Sequence, residues 1–368
     1  MTRSLGKAAV LAACVALAGG SAMADPSPDQ EVVPATEAAD TEALVKLLET
    51  AVGGAYAMGV RPAMRDAHAK GHGCVKGYFA VAPDLPEPLR KGVFAELKTY
   101  TAWIRFSNGS GTPHDDSAGD GRGMAIKLTG VPGKKLLASE ADAQTQDFVM
   151  INYPVFAVRD VANYLPLIQL TLQGKAIEFL EKHPHEGEIT RAITSITIDQ
   201  VLEQQYFSMS PYILGDQYIK FTARPIDCTT GATIVESTDA PPKKDPNYLR
   251  EGMIKWLDRQ DACFKFAVQP QTDPATQLIE DATSLWDEAK APFIDVATLR
   301  IPIQKFDSEA QMTFCENLSY TPWHALPEQR PAGGINRMRR AVYDAISELR
   351  HRLNKAPRVE PTGNETFN

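Results

Sequence analysis

Gly334-Ile335-Asn336-Arg337-Met338-Arg339-Arg340-Ala341-Val342-Tyr343-Asp344-Ala345-Ile346-Ser347-Glu348-Leu349-Arg350-His351-Arg352-Leu353-Asn354 is the stretch around which the chain is organised. It is rich in Ala, Leu, Glu and Arg and has no Gly or Pro after Gly334, so it reads as a helix. At about 100° per residue, Arg339, Tyr343, Ile346, Arg350 and Leu353 fall on one stripe. A buried stripe is normally apolar. This one carries two arginines with a tyrosine between them.

Arginine cannot shed its charge, and burying it unpaired is costly. The stripe therefore either faces something anionic or lies at the surface, paired with Asp344 and Glu348. A phenolate at Tyr343, one turn from Arg339, would satisfy the first condition. Tyrosine's reference pKa is about 10, and a fixed neighbouring cation lowers it. A tyrosinate is one of the known protein ligands of haem iron, and Arg350 would then meet a haem propionate.

Beyond this helix, composition sets limits. With 43% hydrophobic and 23% charged residues, the 368-residue chain is ordinary globular material for one large domain or two small ones. Residues 1–24 read as a signal peptide: Arg3 and Lys7, an apolar run over 8–19, and Ala22-Met23-Ala24 as the cleavage site. Cleavage takes the formal charge from −8 to −10 by removing Arg3 and Lys7. Such an acidic chain is a poor ligand for nucleic acid or an anionic membrane. Leu11-Ala12-Ala13-Cys14 is similar to a lipoprotein box, but the apolar run continues past Cys14, so anchoring there is the less favoured reading. The mature protein is expected to be periplasmic, with no membrane span. Its cysteines, Cys74, Cys228, Cys263 and Cys315, show no C-x-x-C spacing. Free thiols and a disulfide both remain open.

Moving upstream, residues 25–40 read as a flexible linker and 41–57 as a helix. Strands are expected at 74–81, 102–107, 124–128 and 147–152, then at 218–225, 263–269 and 297–306. Helical segments are expected at 87–97, two or three within 160–202, and at 246–259 and 273–290. Residues 109–123, dense in Gly, Asp and Ser, form a long loop, and 356–368 a polar tail. Parallel βαβ alternation is absent. The fold class is α+β, with an antiparallel β-barrel or sheet and surrounding helices.

Three upstream stretches carry candidate chemistry. Arg65 and His68 stand three apart. Arg105 lies on a strand between Ile104 and Phe106, which should face the other way, so it needs an anionic partner. Asn152 ends a strand just before Tyr153-Pro154. His183-Pro184-His185 reads as a solvated turn rather than a metal site.

Together these pieces resemble the haem catalase superfamily. The resemblance is carried by His68-Ala69-Lys70-Gly71, Arg105-Phe106-Ser107, Gly123-x-Ala125-x-Lys127, Asn152 through Arg159-Asp160, and Arg339-x-x-x-Tyr343 with Arg350 at matching spacing. It runs from about Arg65 to Leu353. It implies a catalase-type barrel with residues 41–355 as the haem domain and a C-terminal proximal helix. The implied cofactor is haem b, with Tyr343 as iron ligand and Arg339 holding its charge. His68 and Asn152 would be the distal catalytic pair, Ser107 the partner of His68, and Arg65, Arg105 and Arg350 the propionate ligands. The implied activity is reduction of hydrogen peroxide or organic hydroperoxides through a ferryl species, at the expense of an organic reductant.

The chain departs from full-length catalases at Ala67, Ala157 and Leu165, each smaller than the family's residue. It also lacks the C-terminal helical region that binds NADPH in some members. These features make it similar to small catalase-related peroxidases. Pro327–Asn354 is also similar to catalase-like allene oxide synthases. A lipid-hydroperoxide isomerase and a non-catalytic haem or lipid carrier on the same fold are the alternatives. Monomer and homo-oligomer are both compatible with the sequence.

Overall fold

A computed structural model describes residues 30–235 and 243–367. The expected signal peptide, Cys14 and residues 25–29 of the expected linker lie outside the described residues. The strands are β1 (Gly71–Val81), β2 (Thr99–Asn108), β3 (Arg122–Thr129), β4 (Thr145–Ile151), β5 (Tyr206–Phe207), β6 (Tyr212–Leu214), β7 (Gln217–Ile226), β8 (Ala262–Pro270) and β9 (Ile294–Ile301). All pair antiparallel in the order β5-β4-β3-β2-β1-β9-β8-β7-β6. A further β5–β7 pairing closes eight of them into a barrel, and β6 hangs on β7 as a short hairpin. The α+β barrel expected from the sequence is therefore present.

Alternation decides what fills the barrel. Ile104, Phe106, Met124, Ile126, Phe148 and Met150 turn inward to the main core. Aromatic rings close the centre: Phe148 and Phe266 lie 4.8 Å apart by centroids, Phe79 and Phe266 5.2 Å. The interior is packed solid, so a ligand site must lie outside it.

The helices are α1 (Glu37–Ala57), α2 (Val161–Leu172), α3 (Ala176–Lys182), α4 (Pro184–Thr194), α5 (Tyr248–Leu257), α6 (Glu309–Asn317) and α7 (Gly334–Asn354). A second apolar cluster joins α1, α2 and α7 through Leu44, Leu48, Leu167, Met338, Val342 and Ile346. No helix among the described residues is long and apolar enough to cross a membrane.

Several expectations need correction. Residues 273–290 form turns, not a helix. Asp273 accepts from Ala275 N and Thr276 Oγ1, Gln277 Oε1 from Thr272 N and Asp273 N, and Asp281 from Thr283 N. Local side-chain acceptors thus capture the amides a helix would use. Residues 87–97 hold two single 3₁₀ turns, with Gly92 at φ 55° between the first and the rest of the second. β9 ends at Ile301, before Pro302. The linker is not free along its length: helix α1 starts at Glu37, and Glu31 is ion-paired to Arg330 and Arg337. The polar tail docks on the barrel, with Glu360 on Lys127 at 2.6 Å and Glu365 accepting from Trp103 Nε1 at 3.0 Å. Cys74 pairs with Cys315 and Cys228 with Cys263. In place of the expected solvated turn, His183 stands at the N-cap of α4 and stacks on Phe179, and His185 bonds Thr283.

The start of α7 is fixed by Arg337, whose nitrogens donate to Glu31, Glu37 and Glu280 at 2.7–3.1 Å. Glu31 and Glu280 also accept from the amides at its start, the N-cap Gly333 N and the first helical Gly334 N, where a helix favours anions. Arg337→Ala leaves Glu37 and Glu280 without a guanidinium, while Glu31 keeps Arg330, and is expected to destabilise the protein by roughly 3 kcal/mol. Denaturant midpoints of the variant and the parent measure this.

Candidate active site

The outer face of β2–β4 supplies one wall of a cavity. Ser107 pairs with Gly123 and Arg105 with Ala125 across β2–β3, and Ala125 pairs with Val149 across β3–β4. Gly123 and Ala125 keep this wall flat. The opposite wall is α7, with Arg339, Tyr343, Ile346, Ser347 and Arg350. The segment Arg65–His68 closes one side. The stripe read from the helix is therefore real, except that Leu353 turns to the α1–α7 cluster instead.

His68 is held in a conformation that few residues adopt, at φ 58°. Such a backbone costs about 1–3 kcal/mol and persists only when its surroundings impose it. Here His68 N donates to Gly109 O at 2.9 Å and Ala69 N to Ser110 O at 3.1 Å. The loop carrying those carbonyls is tied in turn by Asp120, which accepts from Gly109 N and Ser110 N. The ring rests on Gly123, where a Cβ would come within 2.5 Å of His68 Nδ1.

The tautomer follows from the partners. His68 Nδ1 is 2.9 Å from Asn108 O, and a carbonyl only accepts, so Nδ1 carries the proton. Ser107 Oγ, 3.1 Å away, completes its contacts. Nε2 is then a lone-pair acceptor. Burial, then the nearby Arg105, pushes the His68 pKa down to about 4, so the ring is neutral at pH 7. His68 is therefore a candidate proton acceptor.

Arg65, Arg105 and Arg350 meet at one end of the cavity. Arg65 and Arg350 share a single carboxylate, Glu316. Arg105 donates to His68 O at 2.8 Å, and its Nε is buried without a partner. Burial and the like charge of Arg65 push its pKa down to about 9. Arg339, at the other end, is 3% exposed and bonds only neutral groups, Ser210 Oγ and Asn336 Oδ1, each at 3.2 Å.

Tyr343 lies between these groups. The expectation that Arg339 lowers its pKa is met in sign but not in sum. Burial outweighs Arg339 and Asp66 adds to it, so the phenol is pushed above its usual range. The side chain is a neutral phenol until another cation is near. Asn152 is not on the cavity wall. It sits beside it, exchanging backbone and side-chain bonds with Arg122, and its Nδ2 is buried and unpartnered. Of the three small residues, Ala67 lines the cavity, whereas Ala157 and Leu165 do not.

Sequence reasoning missed Asp66, Glu316 and Asp120. Asp66 lines the cavity beside His68, and burial pushes its carboxyl up to about 6. Its place between Arg65 and Ala67 was the available signal. Glu316, 251 residues from Arg65, had none.

A family model described as Catalase matches residues 60–329. A catalase-related peroxidase of Mycolicibacterium paratuberculosis is 24% identical over 308 residues, covering 82% of this chain and 94% of that protein. A fungal catalase structure superposes with a TM-score of 0.65 at 18% identity, covering 86% of this chain and 66% of that one. Catalase A from Saccharomyces cerevisiae gives 0.65 at 18%, covering 86% and 67%. The chain thus spans about two thirds of the catalases' length.

The depressed His68 pKa carries a pH signature. The unfolded chain protonates this ring near pH 6.5, the folded one near 4, so its contribution to stability is complete above 6.5 and is lost as pH falls toward 4. Imidazole ¹⁵N NMR, with His68→Gln for assignment, is expected to show a neutral Nδ1–H ring at pH 5. A midpoint near 6.5 would contradict the burial described.

Proposed function

The chain belongs to the catalase family, and from that premise we propose that it is a small haem-dependent peroxidase that reduces hydrogen peroxide or organic hydroperoxides with an organic reductant. The observation that carries this reading is one flat slot with a neutral histidine at one wall, a tyrosine at the other and arginines lacking carboxylates at both ends.

Haem fits these residues. A planar group matches the Gly123–Ala125 wall, and two propionates match three guanidiniums of which, among the described residues, Arg65 and Arg350 pair with Glu316 and Arg105 with no carboxylate. Tyr343 Oη would hold the iron, and Arg339 would balance the phenolate. Arg65, Arg105 and Arg350 would hold the propionates. Bound there, haem would supply the redox-active iron at which the peroxide O–O bond breaks.

The chain's own residues would move the proton and orient the substrate. His68 Nε2 takes the proton from the peroxide's inner oxygen and returns it to the outer one, which makes that oxygen a good leaving group. Ser107 and Asn108 O keep the ring in the required tautomer. Asn152 stands beside the slot with its Nδ2 buried and unpartnered, and the catalase family reading makes that amide the donor to the peroxide. Ala67 leaves space beside His68 for an organic hydroperoxide. Export to the periplasm belongs to the same reading and is supported by two cysteine pairs, which persist in oxidising compartments.

In protein loaded with haem, His68→Ala is expected to retain haem at full stoichiometry while peroxidase kcat falls about 10²–10⁴-fold. Unchanged turnover would overturn the assignment. Stopped-flow comparison is expected to give a higher kcat/KM for cumene hydroperoxide than for hydrogen peroxide. The reverse order, with vigorous oxygen release, would remove the role given to Ala67.

A further inference from the structure

We propose that the open cleft on the far side of Arg105 is the docking site of the organic reductant, and that this reductant is a small phenol bearing one carboxylate. The proposal rests on the peroxidase reading and deepens it by naming the donor class and its position.

Arg105 lines both the slot and a separate, open cleft formed with Met64, Gly71, Pro246, Arg250 and Met312. At this point one side chain separates the cleft from the slot. A donor seated there reaches the propionate end without entering the channel used by peroxide. The approach depends on Gly71, where a Cβ would stand 3.0 Å from Arg105 Nη2.

Charge selects the ligand. Arg105, 4% exposed, is committed to the propionates, so it serves as the cleft's inner wall and Arg250 supplies the free charge. Arg250 donates to two carbonyls, His72 O at 3.1 Å and Gly71 O at 2.7 Å. Among the described residues Arg250 has no carboxylate within ion-pair distance. The remaining charges of the cleft are accounted for. Lys70 is held by Asp116 at 2.7 Å, His114 by Asp120 at 2.9 Å, and Glu316 by Arg65 and Arg350. Asp115 and Glu309 stand exposed at the rim. Cationic depth with an anionic rim suits one carboxylate and repels polyanions. The walls between are thioether and proline surfaces, Met64, Met312 and Pro246, which suit an aromatic ring.

The electron balance closes. Each of two phenols gives up one electron and its hydroxyl proton. The peroxide O–O bond takes both electrons and both protons and yields one alcohol (water, for hydrogen peroxide) and one water, leaving two phenoxyl radicals.

The test uses the haem-loaded protein with 3-(4-hydroxyphenyl)propionate and its methyl ester. By titration calorimetry the acid is expected to bind roughly tenfold tighter than the ester, the effect of a hydrogen bond to a charged group. KM measured with a fixed peroxide concentration should show the same preference. Arg250→Gln should abolish the preference and Arg250→Lys should retain part of it. Equal affinities for acid and ester in the parent protein, or a preference that survives Arg250→Gln, would overturn the donor site. In those cases peroxide-dependent oxidation of the ester would show that the peroxidase reading still stands. No oxidation of either phenol would overturn that reading and, with it, this site.

Discussion

A buried guanidinium keeps its charge, and four of them face one slot between a barrel and a helix. Among the described residues Glu316 is the one carboxylate ion-paired to Arg65, Arg105, Arg339 or Arg350, and it reaches only Arg65 and Arg350. Neutral hydroxyls, amides and carbonyls satisfy part of their hydrogen-bonding capacity but none of the charge. Moving a charge out of water without a counter-charge is the most expensive step a fold takes. The surrounding structure is arranged to bear it: α7 is pinned at its start by Arg337 and packed along its length on α1 and α2. Such an arrangement is stable in proportion to what anion fills the slot, since a ligand that binds only the folded state stabilises it by mass action.

The second constraint is the strained His68. Its conformation is imposed through a chain of contacts, from Asp120 to the Gly109–Ser110 turn and from there to the His68 and Ala69 amides. The loop 109–123 is therefore a positioning device. Below it, Asn108 links the histidine to a buried network, its side chain bonding His72, Arg122 and Asp116 while its carbonyl fixes His68. Backbone strain and ring tautomer are set by the same strand end, the turn from Ser107 to Ser110.

The parts of this arrangement that are periodic were legible in the sequence. Ile104 and Phe106 inward, Arg105 and Ser107 outward, is a period of two, and the α7 stripe is a period of 3.6. Both put their residues on the faces that line the slot. What was not legible depends on distance or on competition. Glu316 and the Cys74–Cys315 pair join positions 251 and 241 residues apart from their partners, and no local pattern reports such contacts. Residues 273–290 hold Asp, Thr and Gln side chains that out-compete helical bonding, which only the folded geometry reveals. Asp66 was legible as a residue but not as a slot-lining carboxyl, because the α7 residues that line the slot with it come from the far end of the chain.

Tyr343, a neutral and partly buried phenol, is held to become a phenolate when an iron-bearing plane fills the slot beside it. An absorption spectrum of the protein loaded with haem, set against that of Tyr343→Phe, tests this most directly. The account requires high-spin ferric tyrosinate bands in the parent protein and their loss in the variant. The same spectrum from both proteins, or no haem bound by the parent, would contradict it.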